Sequence, residues 1–234
     1  MGKKYNWREA LSVKKILILV EGLTEEKFVT DLLSPYFIQQ KLYIIPKIID
    51  TRIVPGGKNY KGGFVKYSVL KRELQNLLGD SSAVSVTTMI DYYKFPGNIF
   101  LEEKSQKFTN PYDRVSYIEH KFSEDINHSR FIPYLQLHEF EACLFSSSKG
   151  FSKGLIAGES DIKKIEKIIA HFNNSPEEIN DDETTAPSKR IKSIFPDYEK
   201  VSDGPVIAGY IGIDEIRKKC LHFNEWIRKL EAIS

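Results

Sequence analysis

The chain is predicted to be an α/β protein: a mostly parallel sheet flanked by helices, with a helical C-terminal appendage. Three observations carry that expectation. The runs Lys15-Ile-Leu-Ile-Leu-Val20 and Val84-Ser-Val-Thr-Thr-Met-Ile90 are short and almost wholly apolar, as strands covered on both faces are. Apolar residues at helical spacing stand between such runs, and strand alternating with helix builds a parallel sheet. After about residue 139 the alternation gives way to helical spacing alone.

Lys15 to Val20 is the first strand. Phe28, Val29, Leu32, Leu33 and Phe37 then form a helical stripe, with Thr24 placed to cap it and Glu25 and Glu26 in its first turn, facing the positive end of the dipole. Leu42-Tyr-Ile-Ile45 and Lys47 to Ile53 read as extended structure around Pro46. Tyr67, Leu70, Leu74, Leu77 and Leu78 make the next helix, closed by Gly79. Val84 to Ile90 is the third strand, and Val115, Ile118 and Phe122 mark the third helix. Phe131 to Leu137 is a further strand that Pro133 confines to an edge or an irregular start. Ile162, Ile165, Ile169 and Phe172 predict one late helix, while Ile213, Ile216, Cys220, Phe223, Ile227 and Leu230 predict a single long final one. The tract Asn173 to Glu183 between them reads as a hydrated acidic linker without a metal role. The expected division is an α/β core over residues 1–146 and a helical extension, packed on it, over 147–234.

Composition narrows the function. With 234 residues, 41% of them hydrophobic, the chain can bury one large core. No stretch approaches the roughly 18 apolar residues of a membrane span. The opening Met-Gly-Lys-Lys-Tyr-Asn-Trp has no apolar segment before a cleavage site, so a cytoplasmic location is expected. Cys143 and Cys220 are far apart in apolar patterns and read as core thiols. A net charge of +2 gives no global basic field, so contact with a polyanion must come from local patches. Lys189-Arg190-Ile-Lys192, Arg217-Lys218-Lys219 and Lys163-Lys164 are such patches, although solvated helix faces have the same composition.

Carboxylates at strand ends are the chemical signal. Glu21 leaves the first strand into a Gly22-Leu-Thr24-Glu25 turn, and Asp91 closes the third, ahead of Tyr92-Tyr93-Lys-Phe-Pro96-Gly97. Open α/β sheets place ligands at that carboxyl edge, and gathered carboxylates suit a hard cation. In Gln136-Leu-His138-Glu139-Phe-Glu141-Ala142, Glu139 and Glu141 share a face only if the strand continues through them. The zinc-protease motif is excluded because Ala142 stands where its second histidine belongs. Gly56-Gly-Lys58-Asn-Tyr-Lys61-Gly62-Gly63 lacks the Lys-Ser/Thr of a phosphate loop, and reads as a basic loop that touches a phosphate backbone through Lys58 or Lys61.

Five ordered blocks resemble one bacterial family: Val20-Glu21-Gly22-x-Thr24-Glu25-x-x-Phe28, Asp91-Tyr-Tyr-x-x-Pro96, His138-Glu139-Phe-Glu141-Ala, Ala186-Pro-Ser-Lys-Arg190 and Arg217-x-x-Cys220-x-x-Phe-Asn-Glu-Trp226. That family is known only as a domain of unknown function and is grouped with TOPRIM-like proteins. The resemblance implies a TOPRIM-like core related to nucleases of the overcoming-lysogenization-defect type. It also implies Mg²⁺ or Mn²⁺ as cofactor, and a place in phage defence beside an ATPase. Glu21 and Asp91 match TOPRIM acids and Glu25 matches an extra acid of those nucleases, but Tyr93 stands at the second position of the Asp-x-Asp pair. Glu139 or Glu141 would then complete the ligand set.

The expected function is a Mg²⁺-dependent nuclease acting on DNA or RNA. Glu21, Asp91 and Glu139 are its principal ligands, Glu25 and Glu141 complete a second metal or position water, and Lys189 or Arg190 steadies the phosphate. Tyr92 and Tyr93 would stack on bases. The alternative is a catalytically inactive TOPRIM-like sensor or regulatory module of an ATPase.

Overall fold

The structure is a computed structural model and describes residues 13–49, 66–92, 95–96, 100, 108–179 and 185–234. Five strands, β1 (Lys14–Val20), β2 (Leu42–Ile48), β3 (Ala83–Asp91), β4 (Phe131–Ile132) and β5 (Leu135–Gln136), form a sheet of order β2-β1-β3-β4, with β5 also on β3. The pairs are parallel. Side chains of β1 alternate between two cores, as the pleat requires: Ile16, Ile18 and Val20 join one, Leu17 and Leu19 the other. This double burial is why the strand reads as an unbroken apolar run.

Helices α3 (Tyr67–Leu78) and α4 (Pro111–Ile126) cover one face through Leu70, Leu74, Val115 and Phe122. On the other face lies α1 (Leu23–Phe28), which continues through a π-helical stretch, Val29–Leu33, into α2 (Ser34–Ile38). The chain after Ser147 supplies α5 (Ser148–Gly154), α6 (Glu159–His171), α7 (Pro187–Ile194), α8 (Lys200–Ile211), α9 (Ile213–Lys219) and α10 (Leu221–Glu231). Their residues Ile165, Ile191, Ile207, Ile216, Phe223 and Trp226 share one apolar cluster with Ile16, Ile18 and Phe28. Trp226 is 1% exposed, and its indole donates to Thr87 Oγ1 at 2.9 Å, tying α10 to β3. Each such large apolar side chain contributes about 1.5–3 kcal/mol on burial before entropy is subtracted.

Several local expectations are corrected. Thr24 lies inside α1 rather than capping it. The cap is Gly22, whose amide donates to Glu25 Oε2 at 3.0 Å. Gly79 ends α3 in a right-handed conformation (φ −69°). Pro133 and Tyr134 divide the expected fourth strand into β4 and β5, and the expected final helix breaks at Cys220 (φ −107°, ψ 94°) into α9 and α10. Glu177, expected to be hydrated, is fully buried. Its two carboxylate oxygens accept from the amides of His222 and Phe223 at 3.0 and 2.9 Å, so the break and the buried acid explain each other.

Candidate functional site

In the sheet order β2-β1-β3, the chain leaves β1 toward one side and then crosses to the other, so the topological switch lies between β1 and β3. Val20 pairs with Met89 at the end of that register. Glu21 and Asp91 therefore emerge on adjacent strands at the crevice. Asp91 is 2% exposed, and its Oδ1 accepts from the amide of Phe140 at 3.0 Å. That bond joins the end of β3 to the segment carrying the other acids.

His138 occupies the left-handed region (φ 66°), a turn histidine tolerates better than most residues. Glu139 is extended (φ −134°, ψ 157°), and a seven-residue 3-10 helix, Phe140–Ser146, follows at once with every residue buried. Glu139 and Glu141 are thus on neither a continuous strand nor an α-helix. The switch from extended to 3-10 backbone between them brings both carboxylates to one point. Glu139 Oε1 lies 3.4 Å and Glu141 Oε1 3.1 Å from the ammonium of Lys200, the first residue of α8. Glu139 Oε2 accepts from the amide of Ser188 at 3.0 Å, which ties α7 to the same point.

Burial pushes the Glu141 carboxyl up, although Lys200 pulls it back. Burial would lower Lys200, but the attraction of Glu141 and Glu139 prevails and raises it. Tyr198 completes the cluster. It is 1% exposed, and its hydroxyl has no hydrogen-bond partner among the described residues. Burial, with the charges of Glu141, Asp203 and Glu139, pushes this phenol far up. Gly204 in α8 permits the close approach, since a Cβ there would stand 3.1 Å from Tyr198 Oη and 3.2 Å from the Phe140 ring.

The structure therefore brings Glu139 and Glu141 together, ties Asp91 to their segment through the Phe140 amide, and leaves Glu21 at the neighbouring strand end. Glu25, 8% exposed, spends one oxygen on the Gly22 amide. Arg190 donates through Nε to the Thr185 carbonyl at 2.7 Å, and its guanidinium lies 5.0 Å over the Phe172 ring. Lys189 is exposed beside Ser188. Tyr92 is half-buried against the apolar cluster of β3, α3 and α4. Lys58, Lys61 and Tyr93 lie outside the described residues. The other basic patches are partly paired: Arg217 with Glu231 at 2.6 Å, Lys163 with Glu159 at 2.7 Å and Lys164 with Asp161 at 2.8 Å.

Sequence reading missed Lys200 and Tyr198. Neither belongs to a motif, and both reach the acids only because α8 packs on α1 and on the 3-10 helix. Among the described residues, no group of three or more His, Cys, Asp or Glu is arranged to hold a metal ion. The donor chemistry nonetheless fits a hard cation. Two of the acids, Glu139 and Glu141, already set carboxylate oxygens around one positive charge, the Lys200 ammonium, and carboxylate oxygen is the donor type that hard cations take.

Among the described residues no helix is long and apolar enough to cross a membrane. No curated protein and no solved structure matches the chain. A family model described as a domain of unknown function (DUF4276) matches residues 20–231, and the chain belongs to that family.

Proposed function

We propose that the protein is a Mg²⁺- or Mn²⁺-dependent nuclease with a TOPRIM-like core, hydrolysing phosphodiesters of DNA or RNA at the β1–β3 crevice. One observation carries this reading: at the switch of a parallel sheet the buried carboxylates of Glu139 and Glu141 meet around the Lys200 ammonium, and Asp91, ending β3, is tied to their segment through the Phe140 amide. Asp91, Glu139 and Glu141 would hold the ion, with Glu21 facing it from β1. A bound divalent cation would stabilise charge on the phosphoryl oxygens and lower the pKa of an attacking water.

The chain's own residues set the geometry. Backbone amides of Phe140 and Ser188 each fix one oxygen of Asp91 and Glu139, so the carboxylates are oriented before substrate arrives. Lys189, exposed next to Ser188, supplies positive charge for the phosphate backbone, while Arg190 contacts the Thr185 carbonyl and the Phe172 ring. Cleavage of labelled DNA and RNA with Mg²⁺ or Mn²⁺, by wild type and Asp91→Asn, tests the assignment. The expected result is cutting by wild type that the variant loses while keeping its fold. Failure of wild type to cut either polymer, alone or with an ATPase partner, would overturn it.

A second reading has its own support: Lys200 neutralises the acids, and Tyr93 stands where an aspartate is expected. On that reading the protein is a sensor or regulatory module of an ATPase, and Asp91→Asn leaves its biological activity intact.

A further inference from the structure

We infer that Lys200 is a tethered counter-ion that a divalent cation must displace, so that α8 exchanges one positive charge for another at the acid cluster. The inference rests on the metal-binding part of the proposed function and deepens it by naming what regulates occupancy of the site. Two features point to it. The ammonium makes contacts of 3.1 and 3.4 Å with Glu141 and Glu139, both of which are 2% exposed, and thus occupies the point a cation would take. The lysine side chain is itself 37% exposed and starts a helix, so its flexible four-carbon stem can carry the charge out to solvent without moving α8. Arginine, a planar fork that pairs bidentately with carboxylates, would be harder to dislodge.

Tyr198 is the independent observation. A fully buried hydroxyl without a partner is unfavourable, and such a group calls for an acceptor that the state in view does not supply. Its oxygen and the ring of Phe140, which stands between the two glutamates in sequence, both border Gly204 of the helix that carries Lys200. In the state in view Glu141 Oε1, 3.1 Å from the ammonium, also lacks a hydrogen bond among the described residues. When the ammonium leaves, the Tyr198 O–H turns to the exchanged cluster and donates to a carboxylate oxygen, holding it toward the incoming ion as outer partners of metal ligands do. The 3-10 helix and α8 thereby keep the same packing in both states, and only two side chains move.

The test is a Mn²⁺ titration of the full chain, following the paramagnetic resonance signal of the free ion, on wild type, Lys200→Met, Lys200→Arg and Asp91→Asn, each checked for folding by circular dichroism. Removing the tethered charge should tighten Mn²⁺ binding by at least about tenfold, the scale of a lost charge-assisted hydrogen bond. Lys200→Arg should bind no more tightly than wild type, and Asp91→Asn should abolish the tight site. If Lys200→Met does not fold, Lys200→Gln, which keeps a polar head for the carboxylates, carries the same expectation. Equal or weaker binding by the neutral variants overturns the exchange while leaving the metal site standing. Absence of Mn²⁺ binding in every folded protein overturns both.

Discussion

At the β1–β3 crevice, Glu139 and Glu141 share a lysine whose side chain is 37% exposed; beneath α10, Glu119 and Glu177 are closed off by His222 and by backbone amides. Both regions bury carboxylates beside a basic group, yet their bonding differs. Both oxygens of Glu177 accept amides of the α10 N-terminus. Glu119 Oε1 accepts from the Leu135 amide at 2.7 Å and lies 2.9 Å from His222 Nε2. His222 is stacked on Tyr134, itself stacked on Trp226 with ring centroids 4.2 Å apart. That cluster is a strut with its bonding capacity committed. The crevice cluster instead contains a partnerless phenol and a counter-ion with one foot in solvent. Convergence of acids is therefore not enough to mark a site; what matters is whether oxygens and charges remain to be exchanged.

The comparison can be broken by mutation. Asp91→Asn should lower nucleic-acid cleavage by about three orders of magnitude, because loss of a metal ligand removes several kcal/mol of transition-state stabilisation. A gel-based cleavage assay reads this, and an unaltered rate would mean that the crevice acids are as structural as those under α10. Glu177→Ala should cost about 3–5 kcal/mol in urea unfolding, by leaving two buried helix amides without their charged acceptor. Mn²⁺ affinity of its folded fraction should stay put.

The His222–Glu119 pair sharpens the contrast through pH. Burial would lower His222, but the hydrogen bond and charge of Glu119 prevail and hold its pKa above the usual 6.5. A raised folded pKa means the stabilisation is complete below about 6.5 and is lost as pH rises through the folded value. Urea midpoints should fall on passing from pH 6 into the alkaline range, and His222→Gln should remove that part of the slope. A midpoint of the wild type that rises instead would sink the assignment. The smallest effect is at Tyr198→Phe. Deleting an unsatisfied hydroxyl should leave stability unchanged or raise it by about 1 kcal/mol, whereas Mn²⁺ affinity should drop a few-fold. A large loss of stability would show that the phenol is bonded in the resting protein.

Much of the fold was legible because it follows from local periodicity. The apolar runs ending at Val20 and Ile90 became β1 and β3 within a residue or so, and the stripe through Leu70 and Leu74 became α3. Boundaries failed where a distant residue intervened: the last helix breaks at Cys220 because Glu177, 43 positions earlier by number, caps the second half. Of the candidate acids, Asp91 was legible as the end of a strand, whereas Glu139 and Glu141 were legible only as acids two apart whose meeting hung on a backbone that the sequence left open. Arg190 shows the limit of such reading: a basic residue in a promising block says nothing of direction, and its guanidinium lies over the Phe172 ring.

By itself the sequence determined the layers. Strand runs buried on both faces and amphipathic helices leave a parallel sheet few alternatives, and such a sheet presents the acids that end its strands at one edge. Only the tertiary structure decided what meets those acids. Lys200 and Tyr198 come from a helix and its approach that no short-range pattern links to β1 or β3, and their arrival depends on the packing of α8 against α1. Side-chain encounters across 60 residues, such as Lys200 with Glu139 (61 apart), are set by how whole elements dock. Spacing within one element carries no record of them.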